Sequence, residues 1–294
     1  MSLTLAASYV HCQQIARRSA SSFYYSFLLL PKQKRMAMCA LYAFLRHTDD
    51  LGDSSEPVFG RREKLTAWRK SLARALKGEF DDPLLPAMAD TVARFEIPLG
   101  YLEAVIDGVE MDLATCRYET FEQLEVYCHR VASAVGLACL RIWGCNNEQA
   151  EPAARQCGLA FQMTNILRDL KEDAAQNRIY LPQEDLDRFG YSEDNLRAGV
   201  RDERFRRLMR FEVDRTEKLY AEAIKLEHWL APDGRRVFGS MMAVYRALLA
   251  EIKRLDGDVL STRIRLSRWR KMRIATRWLL FRSIAPQPAE ASLS

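Results

Sequence analysis

The chain is poor in the residues from which several common chemistries are built. Four histidines in 294 residues leave little material for a histidine base or a zinc centre. The seven cysteines are odd in number and no two stand in a Cys-x-x-Cys spacing. That argues against both a zinc ribbon and a disulfide framework, and for reduced, mostly buried thiols. No apolar run is long enough to span a bilayer. The N-terminus, Met1-Ser-Leu-Thr-Leu-Ala-Ala-Ser-Tyr, lacks the basic start and long apolar stretch of a signal peptide, so a cytoplasmic protein is expected. There is no Gly-x-Gly-x-x-Gly fingerprint, no repeat at a solenoid period, and no Pro-, Gly- or Ser-rich linker before Ile284.

What is present favours helices around a sizeable core. At 48% hydrophobic and 28% charged, the chain can bury a large interior and is not of disordered composition. The ten prolines leave long free intervals, in which apolar residues recur at helical spacing with no alternating β-branched runs. An all-α chain follows, with residues 1–283 as a single helical domain and 284–294 as a disordered tail. Helices are expected over 3–18, 33–52, 61–77, from 82 and from 98 to 110. Further helices are expected over 120–143, from 146 or 147 through 173, over 202–228 and over 232–254. The loop from Ala174 to Asp187 separates two of these.

The formal charge of +5 is concentrated near the C-terminus. From Arg263 to Arg282 basic residues interleave with Trp269, Trp278, Leu279, Leu280 and Phe281. Such a stretch can dock on an anionic membrane surface, with aromatics in the headgroup boundary. It can equally pack on the bundle with a solvated basic face; nucleic acid is not expected as a partner.

Two stretches carry chemistry. In Gln162-Met-Thr-Asn165-Ile-Leu-Arg168-Asp169-Leu-Lys-Glu-Asp173, a helix projects Gln162, Asn165, Asp169 and Asp173 from one face. Carboxylates stacked at i, i+4 repel unless a cation lies between them, and an oxygen-only set suits Mg²⁺ rather than zinc or copper. Acidic pairs of this kind are also common on solvated helix faces. A second stretch, Tyr42-Ala-Phe-Leu-Arg46-His-Thr-Asp49-Asp50-Leu-Gly-Asp53, puts a phenol, a guanidinium and two carboxylates on one face. Two Asp-x-x-x-Asp pairs, each beside an arginine, make sense together if both hold Mg²⁺ gripping one diphosphate. Alternatively, Arg46 pairs with Asp50 and Arg168 with Glu172 within their own helices.

These residues, with Ser21-Ser22-Phe23-Tyr24, Ala40-Leu-Tyr-Ala-Phe44, Asp107-Gly-Val-Glu-Met-Asp112, Tyr127-Cys-His-Arg-Val-Ala-Ser-Ala-Val-Gly136 and Arg178-Ile-Tyr-Leu-Pro182, give the chain a resemblance to the squalene/phytoene synthase family from about Ser19 to Arg273. Within that family it is most similar to the bacterial presqualene diphosphate synthase branch. The resemblance implies an isoprenoid-synthase-like bundle around a central apolar cavity. It also implies a Mg²⁺-dependent prenyltransferase that condenses two farnesyl diphosphates head to head into presqualene diphosphate, with NADPH if the product is squalene. A phytoene synthase using geranylgeranyl diphosphate, or a catalytically silent assembly factor, are the alternatives. Two or three Mg²⁺ ions would sit on Asp49, Asp53, Asn165, Asp169 and Asp173, with Tyr42 and Arg168 also catalytic. Substrate contacts would come from Ser22, Tyr42, Arg46, Tyr127, Val131, Gly136, Gln162, Arg168, Tyr245 and Arg263. Ala134 and Leu137 match pocket positions, and Phe23, Tyr24, Tyr25 and Phe27 either face the pocket or fill core. A monomer or homodimer is expected, with peripheral contact to the inner membrane surface.

Overall fold

The computed structural model describes residues 4–19, 22–114, 116–145 and 147–280, and all regular structure among them is helical. Thr4 caps α1 (Leu5–Arg18) by accepting from the Ala7 N–H. A short α2 (Ser22–Phe27) precedes α3 (Lys32–Gly52), which Pro31 opens from the N-cap. Next come α4 (Val58–Ala75), α5 (Leu85–Phe95) and α6 (Leu99–Met111). Thr120 caps α7 (Phe121–Cys128), and after it come α8 (Ala134–Trp143) and α9 (Ala150–Ala175). The short α10 (Gln183–Arg188) and α11 (Glu193–Arg197) lead to α12 (Glu203–Ala223), α13 (Pro232–Arg254) and α14 (Arg268–Leu280).

The 26-residue α9, about 39 Å long, is the central post. It packs on α8, α12 and α13, while α3 packs on α1, α4, α5 and α6. Both helices bury an apolar stripe, Met38, Leu41 and Phe44 on α3 and Met163, Ile166, Leu167 and Leu170 on α9. Their polar residues are thereby turned to one side.

The continuous helix expected from Thr120 to Trp143 is instead interrupted. A π turn, His129–Ser133, separates α7 from α8. The reason lies in close approach: a Cβ on Gly158 would fall 2.5 Å from the Ser133 Cα, and one on Gly108 would fall 2.5 Å from the Val131 Cγ1. Glycines on α9 and α6 let the backbones meet, and the widened turn fits between them; such turns recur at functional sites. The expected start at Arg61 moves to Val58, because Pro57 occupies the N-cap. The end of the helix expected over 202–228 tightens into a 3₁₀ segment, Ile224–Trp229. α10 and α11, six and five residues long, are too short to show a period. The tail expected over 284–294, and Phe281, lie outside the described residues.

Candidate active site

Tyr42, Arg46 and Asp49 from α3 and Gln162 and Asn165 from α9 line one cavity of about 310 Å³. Its walls are apolar: Phe27, Leu41, Val105, Val131, Val135, Phe161 and Met241 among them, with Gly136 and the thiols of Cys139 and Cys157. Phe27 meets Tyr42 edge-on at 6.3 Å, and Tyr245 stacks on Phe161 at 4.1 Å. Tyr245 also shares a hydrogen bond with Asn165. Burial pushes the Cys139 thiol up to about 12 and the Cys157 thiol higher still, so both stay protonated and weakly nucleophilic.

Of the four aspartates only Asp49 lines the cavity; Asp53, Asp169 and Asp173, with Arg168 and Arg263, are not among its lining residues. Arg178, just past α9, donates to the Asp53 carboxylate of α3 at 3.3 Å. Enclosure in the cleft, then the like charge of Asp53, pushes the Asp49 carboxyl from 3.8 up to about 7. Asp49 keeps contact with water at the mouth, which screens part of this shift. Burial, then the charge of Asp169, pushes Asp173 from 3.8 up to about 7 as well, with Arg178 acting in the opposite direction. Both carboxyls also feel Asp112, so one negative field spans the two turns.

Arg46 pairs with Asp50 at 2.6 Å, the intrahelical alternative open in the sequence. Arg168 does not pair with Glu172; its Nε donates to Asp169 at 2.8 Å, one residue along. Glu172 instead meets Arg263 at 3.2 Å, which brings the post-α13 segment to the rim. The Ser22 and Phe23 side chains lie outside the described ones.

Tyr127 is a correction. It does not line the cavity but lies behind it, donating to Asp112 Oδ2 at 3.0 Å beside Tyr180, which donates to Oδ1 at 2.8 Å. Burial on α7, with 3% exposure, and this carboxylate hold it there, so its role is to fix Asp112. Ala134 and Leu137 are likewise core rather than wall, on the face of α8 opposite Val135 and Gly136. Asp112, expected from the Glu-Met-Asp stretch to be a structural support rather than a ligand, is held by Tyr127, Tyr180 and Cys116, and Arg178 of Arg178-Ile-Tyr-Leu-Pro182 acts across the chain on Asp53.

Among the described residues, no group of three or more His, Cys, Asp or Glu side chains converges closely enough to hold a metal unaided. The donor set is two separated carboxylate pairs plus the Asn165 amide, all oxygen. Mg²⁺ is bound in this way, by one or two carboxylates with the remaining positions left to water and substrate phosphate. Two carboxyls raised by burial and then by a like-charged neighbour on their own helix turn sit in a site short of positive charge, and the residues fit the ion.

An all-helical bundle with an apolar cavity opening between two Asp-x-x-x-Asp turns defines the isoprenoid-synthase-like class, to which its solved structural neighbours belong. The family model for squalene/phytoene synthase matches residues 16–270, and the chain belongs to that family. It is 37% identical over 281 residues to the 15-cis-phytoene synthase of Synechococcus elongatus, covering 92% of this chain and 91% of that one. It is 36% identical over 284 residues to the phytoene synthase of Mycobacterium tuberculosis, covering 96% and 93%. Among solved structures, squalene synthase HpnC from Alicyclobacillus acidocaldarius superposes with a TM-score of 0.80 at 31% identity, covering 86% of this chain and 95% of that one. A dehydrosqualene synthase in complex with ligand superposes with a TM-score of 0.85 at 28% identity, covering 93% and 96%. The family's members are prenyltransferases acting on isoprenyl diphosphates.

Proposed function

We propose that the protein is a phytoene synthase that joins two molecules of geranylgeranyl diphosphate head to head in a Mg²⁺-dependent reaction. Relatives at 36–38% identity carry that name, which moves the reading from the farnesyl substrate expected from the motifs to the longer alternative. The observation that supports the reaction class is that Asp49 of the first acidic turn and Asn165 of the second helix line one apolar cavity, while Arg178, just past α9, reaches Asp53. The farnesyl reading, ending in presqualene diphosphate or, with NADPH, in squalene, stands second and rests on the 31% identity to squalene synthase HpnC.

Asp49, Asp53, Asn165, Asp169 and Asp173 would hold the metal. Bound Mg²⁺ supplies positive charge against which pyrophosphate departs from an allylic carbon. The rest falls to the chain. Arg46 and Arg168 can exchange their carboxylate partners Asp50 and Asp169 for phosphate oxygens once metal occupies the acidic face. Tyr245, held by Phe161 and Asn165, presents a fixed phenol in the buried cavity wall beside Asn165. Val131, Val135, Gly136, Phe161 and Met241 exclude water from the prenyl chains, and protonated Cys139 and Cys157 offer no thiolate to trap a carbocation.

Purified protein incubated with Mg²⁺ and either geranylgeranyl or farnesyl diphosphate, with and without NADPH, tests this by product identification. Phytoene or its cyclopropyl precursor from the longer substrate is expected. A 30-carbon product alone would transfer the assignment to the second reading, and turnover of neither would defeat both. Among the described residues no helix is long and apolar enough to cross a membrane. The exposed Trp269 and Met272 of α14 among its arginines support peripheral docking on anionic lipid, checked by co-sedimentation with vesicles of acidic and of neutral phospholipid.

A further inference from the structure

A second cavity, about 450 Å³ in volume, shares no lining residue with the apolar one. It lies at the C-terminal ends of α6 and α9, beside Arg61 of α4, and is lined by Arg61, Asp112, Gln176, Asn177 and Arg178, among others. Two of these are guanidinium groups. Arg178 is committed to Asp53 at 3.3 Å and lies in the field of Asp112. Arg61 makes no ion pair among the described residues: its Nη1 donates to the Gly52 carbonyl at 2.8 Å, while its buried Nε has no acceptor. A buried, unpartnered guanidinium nitrogen beside a polar cavity calls for an acceptor.

The remaining groups allow one. Asp112 is the cavity's carboxylate, and its oxygens already accept from Tyr127, Tyr180 and Cys116. Asn177, in the left-handed region at φ 60°, has its side-chain oxygen bound at 2.9 Å by Arg117 and at 3.3 Å by Arg197, which leaves its amide nitrogen as the available donor. Gln176 and Asn177 are exposed, so the cavity has a rim in water. The carbonyl ends of α6 and α9 oppose an anion here, while Arg61 covers the Gly52 carbonyl at the end of α3.

Resting on the proposed condensation, the need for such a route is chemical. The reaction makes an apolar hydrocarbon and a polyanion in one cleft. The apolar walls that pass the first cannot solvate the second. We propose that the Arg61–Arg178 cavity is an anion site through which the diphosphate product leaves the acidic turns toward water. Arg61 is its uncommitted recognition group. The same chemistry would also suit the diphosphate head of an incoming substrate, and the two sources are separable by experiment.

Inorganic pyrophosphate is the probe, added to the Mg²⁺-loaded full-length enzyme as a product inhibitor and, without prenyl substrate, in a calorimetric titration. In Arg61→Gln the pyrophosphate inhibition constant is expected to rise about tenfold, the loss of one charge-assisted contact, well beyond any rise in KM for the allylic diphosphate. Arg61→Lys, which can keep the Gly52 contact, should fall between. Asn177→Asp adds a negative charge to the rim without touching α3 and should weaken pyrophosphate binding even if Arg61→Gln fails to fold. KM and the inhibition constant rising in step would place Arg61 in the substrate site and overturn the exit role. Pyrophosphate binding unmoved in both Arg61→Lys and Asn177→Asp would overturn the anion site. Calorimetric binding that depends on Arg61 in a protein that turns over no prenyl diphosphate would retain the anion site and refute the condensation instead.

Discussion

Removing protons from the metal-free protein should weaken it, contrary to the usual behaviour of carboxylates. Asp49 and Asp173 titrate near 7 in the fold rather than at 3.8. Between these values the folded state holds protons that the unfolded state has lost, so stability falls as pH rises through that window and levels off above it. Moving a wholly shielded carboxyl from 3.8 to about 7 corresponds to about 4 kcal/mol. Water at the cleft mouth screens Asp49 in particular, so the pair is expected to cost about 2–4 kcal/mol at about pH 8. Mg²⁺ on the ionised pairs should return that stability, because ligands that bind only the folded form add to it. Thermal unfolding with and without Mg²⁺ is the assay. A rise in Tm of about 4–8 °C on adding Mg²⁺ is expected at about pH 8, and little at about pH 5. Asp49→Asn with Asp173→Asn should flatten the metal-free pH profile and abolish the Mg²⁺ effect. An equal Mg²⁺ shift at both pH values, or a metal-free protein more stable at the higher pH with the asparagine pair unchanged, would refute the reasoning.

Two further outcomes test how the site is held. Gly158→Ala puts a Cβ 2.5 Å from the Ser133 Cα and 2.6 Å from its nitrogen, atoms that cannot rotate away. Unfolding stability should fall by about 1–3 kcal/mol or more, and turnover should fall too because Val131 and Ala132 in the same turn form the cavity wall; chemical denaturation and initial rates check this. Arg215 reaches Asp185 at 2.7 Å and Glu212 at 3.1 Å, both carboxylates being almost wholly buried, and stacks on Phe121 at 4.2 Å. Arg215→Ala should cost about 3–5 kcal/mol by leaving the buried Asp185–Glu212 carboxyl pair without its cation, read as a lowered denaturation midpoint.

The acidic turns were legible because helical periodicity is local: Asp49 and Asp53, like Asp169 and Asp173, need only their own helix to share a face. α13 began at Pro232 and ended at Arg254 as expected, since proline at the first turn and the apolar spacing both mark it. Relations across the fold were not legible. Nothing near Tyr127 says that Asp112, 15 residues back, would draw it behind the cavity. The π turn depends on glycines 108 and 158, from two other helices, and the Arg178–Asp53 contact joins residues 125 apart. The choice between farnesyl and geranylgeranyl chains depends on cavity depth, which motif spacing does not encode.

Asp49→Ala and Asp169→Ala, assayed separately for turnover of the accepted prenyl diphosphate at saturating Mg²⁺, address most directly the joint use of both turns. Each should lower kcat by at least about 100-fold while the fold, followed by circular dichroism, persists. Full activity in either variant would contradict a shared metal–diphosphate site between α3 and α9.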